Sequence, residues 1–212
     1  MLDIATQKSF EQRFSLIRNL KQENLISKKQ QSILTIRDIK QKGFFEYSSN
    51  TYFVKDINQY EETSDNFKRK KGYFITELTC ICIETGQTIN FEFEYDDMLE
   101  ISMTTDRITF RDIKDENGKS IDEDDLDTIA DDKDMVLVKG EQFWYEDDFA
   151  AVYYRNEKEE KVYMYEFENQ AQTKFLTIEE WENSKKYEYQ MYISIPIVPN
   201  EISVICKGSL NT

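Results

Sequence analysis

Histidine is absent from this 212-residue chain. Without it there is no Ser-His-Asp triad and no Cys-His pair. There is also no imidazole metal ligand and no imidazole pH switch. Cysteine is scarce, and three thiols cannot close a four-thiolate zinc site. Cys80 and Cys82 stand two apart on a predicted strand, sharing a face but poorly placed to bond each other without a bulge. With Cys206 distant and one thiol necessarily unpaired, the set predicts a reducing, cytoplasmic setting. The six glycines (43, 72, 86, 118, 140, 208) lie too far apart to form a phosphate-cradling loop. No window approaches the roughly 18 apolar residues of a membrane span. The opening residues show no apolar leader run either. Basic residues are in deficit: 27 Lys+Arg face 42 Asp+Glu, a net charge of −15. That balance argues against nucleic acid as a ligand, since phosphates need basic side chains opposite them.

Aromatic residues, by contrast, are plentiful, at 14% of the chain, with 14 Phe and 13 Tyr. Each one buried removes roughly 150–250 Å² from water, so a core is available despite 33% charged residues. Ile, Phe and Tyr outweigh Ala, which favours strands over a helix bundle.

The periodicity divides the chain. Residues 7–24 predict a helix, with Phe10, Phe14 and Ile17 on one stripe and Leu20 beside it. The first 45 residues carry nine Lys/Arg and four Asp/Glu, so this head is basic. From Phe44 the period becomes two. Ile89, Phe91, Phe93 and Tyr95 share one face, as do Tyr187, Tyr189, Met191, Ile193 and Ile195, and Tyr163, Tyr165 and Phe167. About eleven strands, mostly joined as hairpins, are expected. Residues 112–134 hold eleven Asp/Glu against three lysines and predict a mobile acidic loop or linker. The strands on either side of it look alike, which suggests an internal duplication. The expected map is a basic helical segment (1–42), a first β repeat (43–113), an acidic linker (114–134) and a second β repeat (135–206). The expected fold is mainly β: a duplicated antiparallel unit, barrel-like or sandwich, with an N-terminal helix.

Several motifs invite chemistry and fail on inspection. Setting Gly118 at position six of a calcium loop puts Ile113 first and Ser120 eighth, so the motif breaks, and a type I′ turn at Asn117-Gly118 is expected instead. Glu159-Glu160-Lys161 matches a nuclease tripeptide but stands beside a hairpin turn in an acidic chain. Three glutamates on apolar strand faces, Glu77, Glu166 and Glu179, could serve a carboxylate-based hydrolase. The expectation preferred for them is pairing with an Arg or Tyr across the sheet, with Arg37, Arg107, Arg111 and Arg155 as candidates, or a place on a solvated face. Among the aromatics, Trp144, Tyr145, Tyr154 and Trp181 are the candidate binding residues for a protein or peptide.

The run Leu34-Thr35-Ile36-Arg37-Asp38-Ile39, then Phe45-Glu46-Tyr47 and Tyr52-Phe53-Val54, resembles the bacterial "domain of unknown function 4178" proteins. So do Tyr163-Met164-Tyr165-Glu166, Phe175-Leu176-Thr177-Ile178-Glu179 and Trp181. Arg37-Asp38 departs from that family's usual Gly-Asp, and the helical N-terminus is longer. The resemblance implies an all-β bacterial cytoplasmic domain, often in tandem copies, with no catalytic residues to carry over. The resulting expectation is a non-enzymatic binding or adaptor protein with a protein or peptide partner, no cofactor, no metal and no nucleic acid. The alternatives are the hydrolase and an acidic nucleic-acid mimic. The basic helix over 7–24 is expected to pack its Phe10/Phe14/Ile17 stripe on the β body or a partner, in preference to a membrane surface.

Overall fold

The computed structural model describes residues 4–182 and 187–208. Among the described residues twelve antiparallel strands follow an N-terminal helix, so the mainly-β expectation holds. The chain forms two compact units that interleave along the sequence: Met1–Asn58, Thr76–Ile101 and Ile197–Thr212, and Gln59–Ile75 with Ser102–Pro196. These units do not follow the two sequence repeats. Strands β2 (Asn50–Thr63), β3 (Lys70–Cys82) and β5 (Leu99–Ile108) each contribute residues to both.

In the first unit β1 (Phe44–Tyr47) lies between β2 and β12 (Ser203–Cys206). A two-residue turn joins β1 to β2, with Ser48 and Ser49 at φ 48° and 62°. Positive φ at both positions gives the mirror turn whose twist matches paired strands. Phe44, Phe53 and Cys206 form a buried cluster, flanked by Ile81, Ile83, Leu16 and Leu20. Phe45, Tyr52 and Phe91 stack edge and face around a second centre. β4 (Thr88–Tyr95) coincides with the predicted strand.

Helix α1 (Ile4–Ile17) is shorter than predicted and docks by a different face. Leu16 and Leu20 reach the apolar cluster, and Arg13 donates to the carbonyls of Ile83 and Glu84 at 3.0 and 2.7 Å. Three in-register positions of a helix lie within one stripe, so choosing Arg13 and Leu16 turns the other stripe outward. Phe10, Phe14 and Ile17 are 58%, 48% and 43% exposed. The expectation that they pack on the β body is corrected.

In the second unit the order is β5-β11-β10-β9-β8-β7-β6, where β11 spans Tyr187–Pro196, β10 Phe175–Glu182, β9 Lys158–Asn169, β8 Glu141–Arg155, β7 Met135–Val138 and β6 Ile113–Lys114. One edge of β8 pairs with β9 along its length. The other pairs first with β7 and then, over Ala151–Tyr154, with β2. The β8–β9 turn again has positive φ at both residues, Asn156 at 50° and Glu157 at 64°.

Residues 112–134 are not a mobile linker. They form β6, a turn, a 3-10 helix (Glu123–Asp125) and helix α3 (Leu126–Asp132), preceded by a short helix α2 (Lys28–Gln31) earlier in the chain. Ile121, Leu126 and Ile129 are buried in the principal core with Phe143, Tyr165, Phe167, Leu176 and Ile178. The apolar anchors are few but well placed, and most of the acids face solvent. Several acids also hold the backbone: Asp115 accepts from the amides of Asn117 and Lys119, and Asp122 and Asp125 cap the 3-10 turn. At Asn117-Gly118 only the glycine has positive φ, +80°, so this is an Asp-capped turn and not type I′.

Candidate functional site

Pairing register sorts the side chains of β9, β10 and β11. Glu180 stands opposite Tyr163 on one side and Tyr189 on the other. By alternation Lys161, Tyr163, Tyr165, Ile178, Glu180, Glu182 and Tyr189 share one face. Val162, Met164, Glu166, Thr177, Glu179 and Trp181 share the other.

Two of the three glutamates nominated from sequence, Glu77 and Glu179, are held by hydrogen-bond donors. Glu179 is 1% exposed and accepts from Tyr60 Oη at 2.7 Å, Trp181 Nε1 at 3.0 Å and Tyr192 Oη at 3.4 Å. Glu77 belongs to the first unit, where Asn58 and Asn90 donate amides to its two oxygens at 2.9 and 2.7 Å. Glu166 is half-buried, on the same face as Glu179 and opposite Thr177. Glu179 thus has tyrosine partners of the expected kind, together with an indole, whereas Glu77 is held by asparagine amides, which the expected arginine or tyrosine did not anticipate.

The four nominated aromatics fall on both faces. Trp181 packs against Tyr60 and Tyr153 and orients Glu179. Trp144 is 46% exposed on β8. Tyr145 is half-buried and donates to Asp148. Tyr154 is half-buried, donates to Glu61 at 2.5 Å and has Lys70 over its ring.

A different group of residues converges. An open cleft of about 290 Å³ in the second unit is lined by Phe67, Asp127, Lys161, Tyr163, Tyr165, Glu180 and Glu182. Helix α3 supplies Asp127, which accepts from Tyr165 Oη at 2.8 Å. Tyr163 is fixed from behind by its hydroxyl bond to Asp148. Lys161 bonds Glu182 at 2.8 Å, with its ammonium 5.0 Å from the centre of the Phe67 ring. Phe67 sits in the β2–β3 turn at φ 58°, a left-handed conformation unusual for a bulky aromatic. Asn66 braces that turn by accepting from Ser64 Oγ and the Lys68 amide.

The electrostatics follow from partial burial of like charges. Burial pushes the Glu180 carboxyl above its ordinary pKa, and the Asp127 charge pushes the same way; hydrogen bonds from Tyr189 and Tyr165 offset part of this. Burial raises the phenols of Tyr163, Tyr165 and Tyr189, and the carboxylate beside each adds to the effect. All three remain protonated donors at any ordinary pH. The lining thus carries three carboxylates against one ammonium, on a floor of π faces. Such a site attracts cations and repels anions. Among the described residues no group of three or more His, Cys, Asp or Glu side chains is arranged to hold a metal ion.

Tyr163 and Tyr165 were visible as an alternating aromatic face, but Asp127 lay within an acidic run with no mark of its own. Its role comes from the docking of α3, which only tertiary structure supplies.

The strand order and element content place the chain in the mainly-β class. The chain belongs to the family described as "Domain of unknown function (DUF4178)", whose model matches residues 43–199. No curated protein and no solved structure gives a significant match.

Proposed function

We propose that this protein is a non-enzymatic binding protein whose second-unit cleft receives a cationic side chain, lysine or arginine, of a protein or peptide partner. The carrying observation is the convergence of Asp127 and Glu180 with Tyr163, Tyr165 and Phe67 on one open cleft. Aromatic faces and carboxylates together are what a guanidinium or ammonium needs: π faces for its flat or apolar side and acceptors for its protons. Lys161 supports the reading as an internal example, since its ammonium already uses Phe67 and Glu182. A turn that holds Phe67 at positive φ is an expensive way to place a ring, which favours a use for that ring.

The hydrolase alternative draws no support from Glu77 or Glu179, because hydrogen-bond donors enclose both. A nucleic-acid mimic requires a rigid surface row of carboxylates at phosphate-like spacing. Five of the eleven acids of 112–134, Asp112, Asp115, Asp122, Asp125 and Asp127, are placed by local bonds to backbone amides or Tyr165, which favours a role in local structure over such a row. Three free, buried cysteines support a reducing compartment such as the cytoplasm.

The test is isothermal titration of the full chain with a capped peptide carrying two arginines, against the same peptide with glutamines. Binding of the arginine peptide is expected, weakened at least about tenfold by Asp127→Asn with Glu180→Gln. Equal affinity for both peptides, or no effect of the double substitution, would overturn the assignment.

A further inference from the structure

The basic head leaves an apolar face unused. Apolar residues of α1 lie on two faces. Leu16, with Leu20 just beyond the helix, is spent on the first-unit cluster. Phe10, Phe14 and Ile17 occupy the other face, at i, i+4 and i+7, and stand about half exposed. The two rings are stacked with centroids 6.3 Å apart, and the Arg18 guanidinium lies 5.0 Å from the Phe14 centroid. Within residues 7–24 four basic residues (Lys8, Arg13, Arg18, Lys21) accompany two acids, Glu11 and Glu23. Arg13 is committed to carbonyls, while Lys8, Arg18 and Lys21 are exposed.

We infer that α1 docks on an anionic lipid surface, inserting Phe10, Phe14 and Ile17 among the acyl chains while Lys8, Arg18 and Lys21 meet the headgroups. Both halves of this chemistry are needed. Three side chains alone give a small apolar ridge, and flanking positive charge adds attraction to anionic headgroups. A second copy of the chain is the poorer fit. Three residues fall far short of the roughly 800 Å² per partner that a stable protein interface buries. The apolar ridge also needs a surface that yields around it, as lipid does. Arg13 sets the geometry: by clamping the helix to the Ile83–Glu84 carbonyls it keeps the ridge facing outward before any membrane is met.

The experiment is co-sedimentation of the full chain with vesicles of phosphatidylcholine alone and of phosphatidylcholine mixed with phosphatidylglycerol. Binding to the mixed vesicles is expected, with little to the neutral ones and a decline as salt rises. Phe10→Ser with Phe14→Ser should reduce that binding at least about tenfold while the circular dichroism spectrum is retained, because both rings are on the surface. Indifference to lipid charge, or binding unchanged by the double substitution, would overturn the inference. So would sedimentation equilibrium showing a dimer that the double substitution abolishes, which would assign the ridge to a second copy. Because the Asp127/Glu180 cleft is untouched by these variants, peptide binding should be preserved in them.

Discussion

Glu179 and Glu180 are consecutive in sequence and opposite in character, because alternation sends them to opposite faces of β10. Glu179 is fully buried and accepts from two phenols and an indole. Glu179→Ala removes the acceptor and strands those donors, so it is expected to cost more than about 2 kcal/mol in urea unfolding. Glu182→Gln, which breaks only the exposed pair with Lys161, should stay within about 1 kcal/mol. Glu180 has the reverse sign. Burial and Asp127 raise its pKa in the folded chain, so its charged form is disfavoured there relative to the unfolded chain. That cost is present at neutral pH and is relieved as pH falls and both states protonate. Glu180→Gln is therefore expected to raise the unfolding midpoint at pH 7, with the gain shrinking toward pH 4. A binding residue that destabilises its own fold is a recognisable pattern at functional sites.

At the scale of elements, the regular strands were legible and the acidic segment was not. β4 follows strict alternation over Thr88–Tyr95, and β11 extends its predicted span by a single residue to Pro196. Period two finds both strands, yet burial departs from it: Asn90 is buried beside Phe91 in β4 while Tyr95 is exposed, and an irregularity at Ile193/Ser194 shifts the register of β11. Residues 112–134 carry their burial in four isolated residues, Ile113, Ile121, Leu126 and Ile129, among many acids, so composition outweighs pattern. Helix α1 was legible as a helix but not in its orientation, because two apolar faces compete and Arg13 decides between them through carbonyls brought in by β3. If α3 is a core element, Ile129→Ala should cost about 2–4 kcal/mol, and amides around Leu126–Ile129 should resist hydrogen exchange like those of β9. The Phe67 turn makes a separate prediction. Phe67→Gly removes the ring but accepts the left-handed backbone, so stability should change by less than about 1 kcal/mol while affinity for the arginine peptide drops.

For the molecule as a whole, charge is the feature the structure redistributes. The basic residues of the head surround a helix with one bound and one open apolar face. Part of the acidity after it serves as turn caps and tyrosine acceptors, and Asp127, itself a tyrosine acceptor, lines a cleft with Glu180. The cleft depends on α3, which enters from the acidic stretch between two strand-rich segments. The central claim is that Glu180 is an acceptor for a cation, and its own ionisation reads this most directly. The side-chain carboxyl of Glu180 can be followed by carbon-detected NMR across pH, with and without the arginine peptide. A raised pKa in the free protein that falls when the peptide is added is the predicted result, because a bound guanidinium favours the charged carboxylate. A pKa that does not move on adding peptide would contradict it.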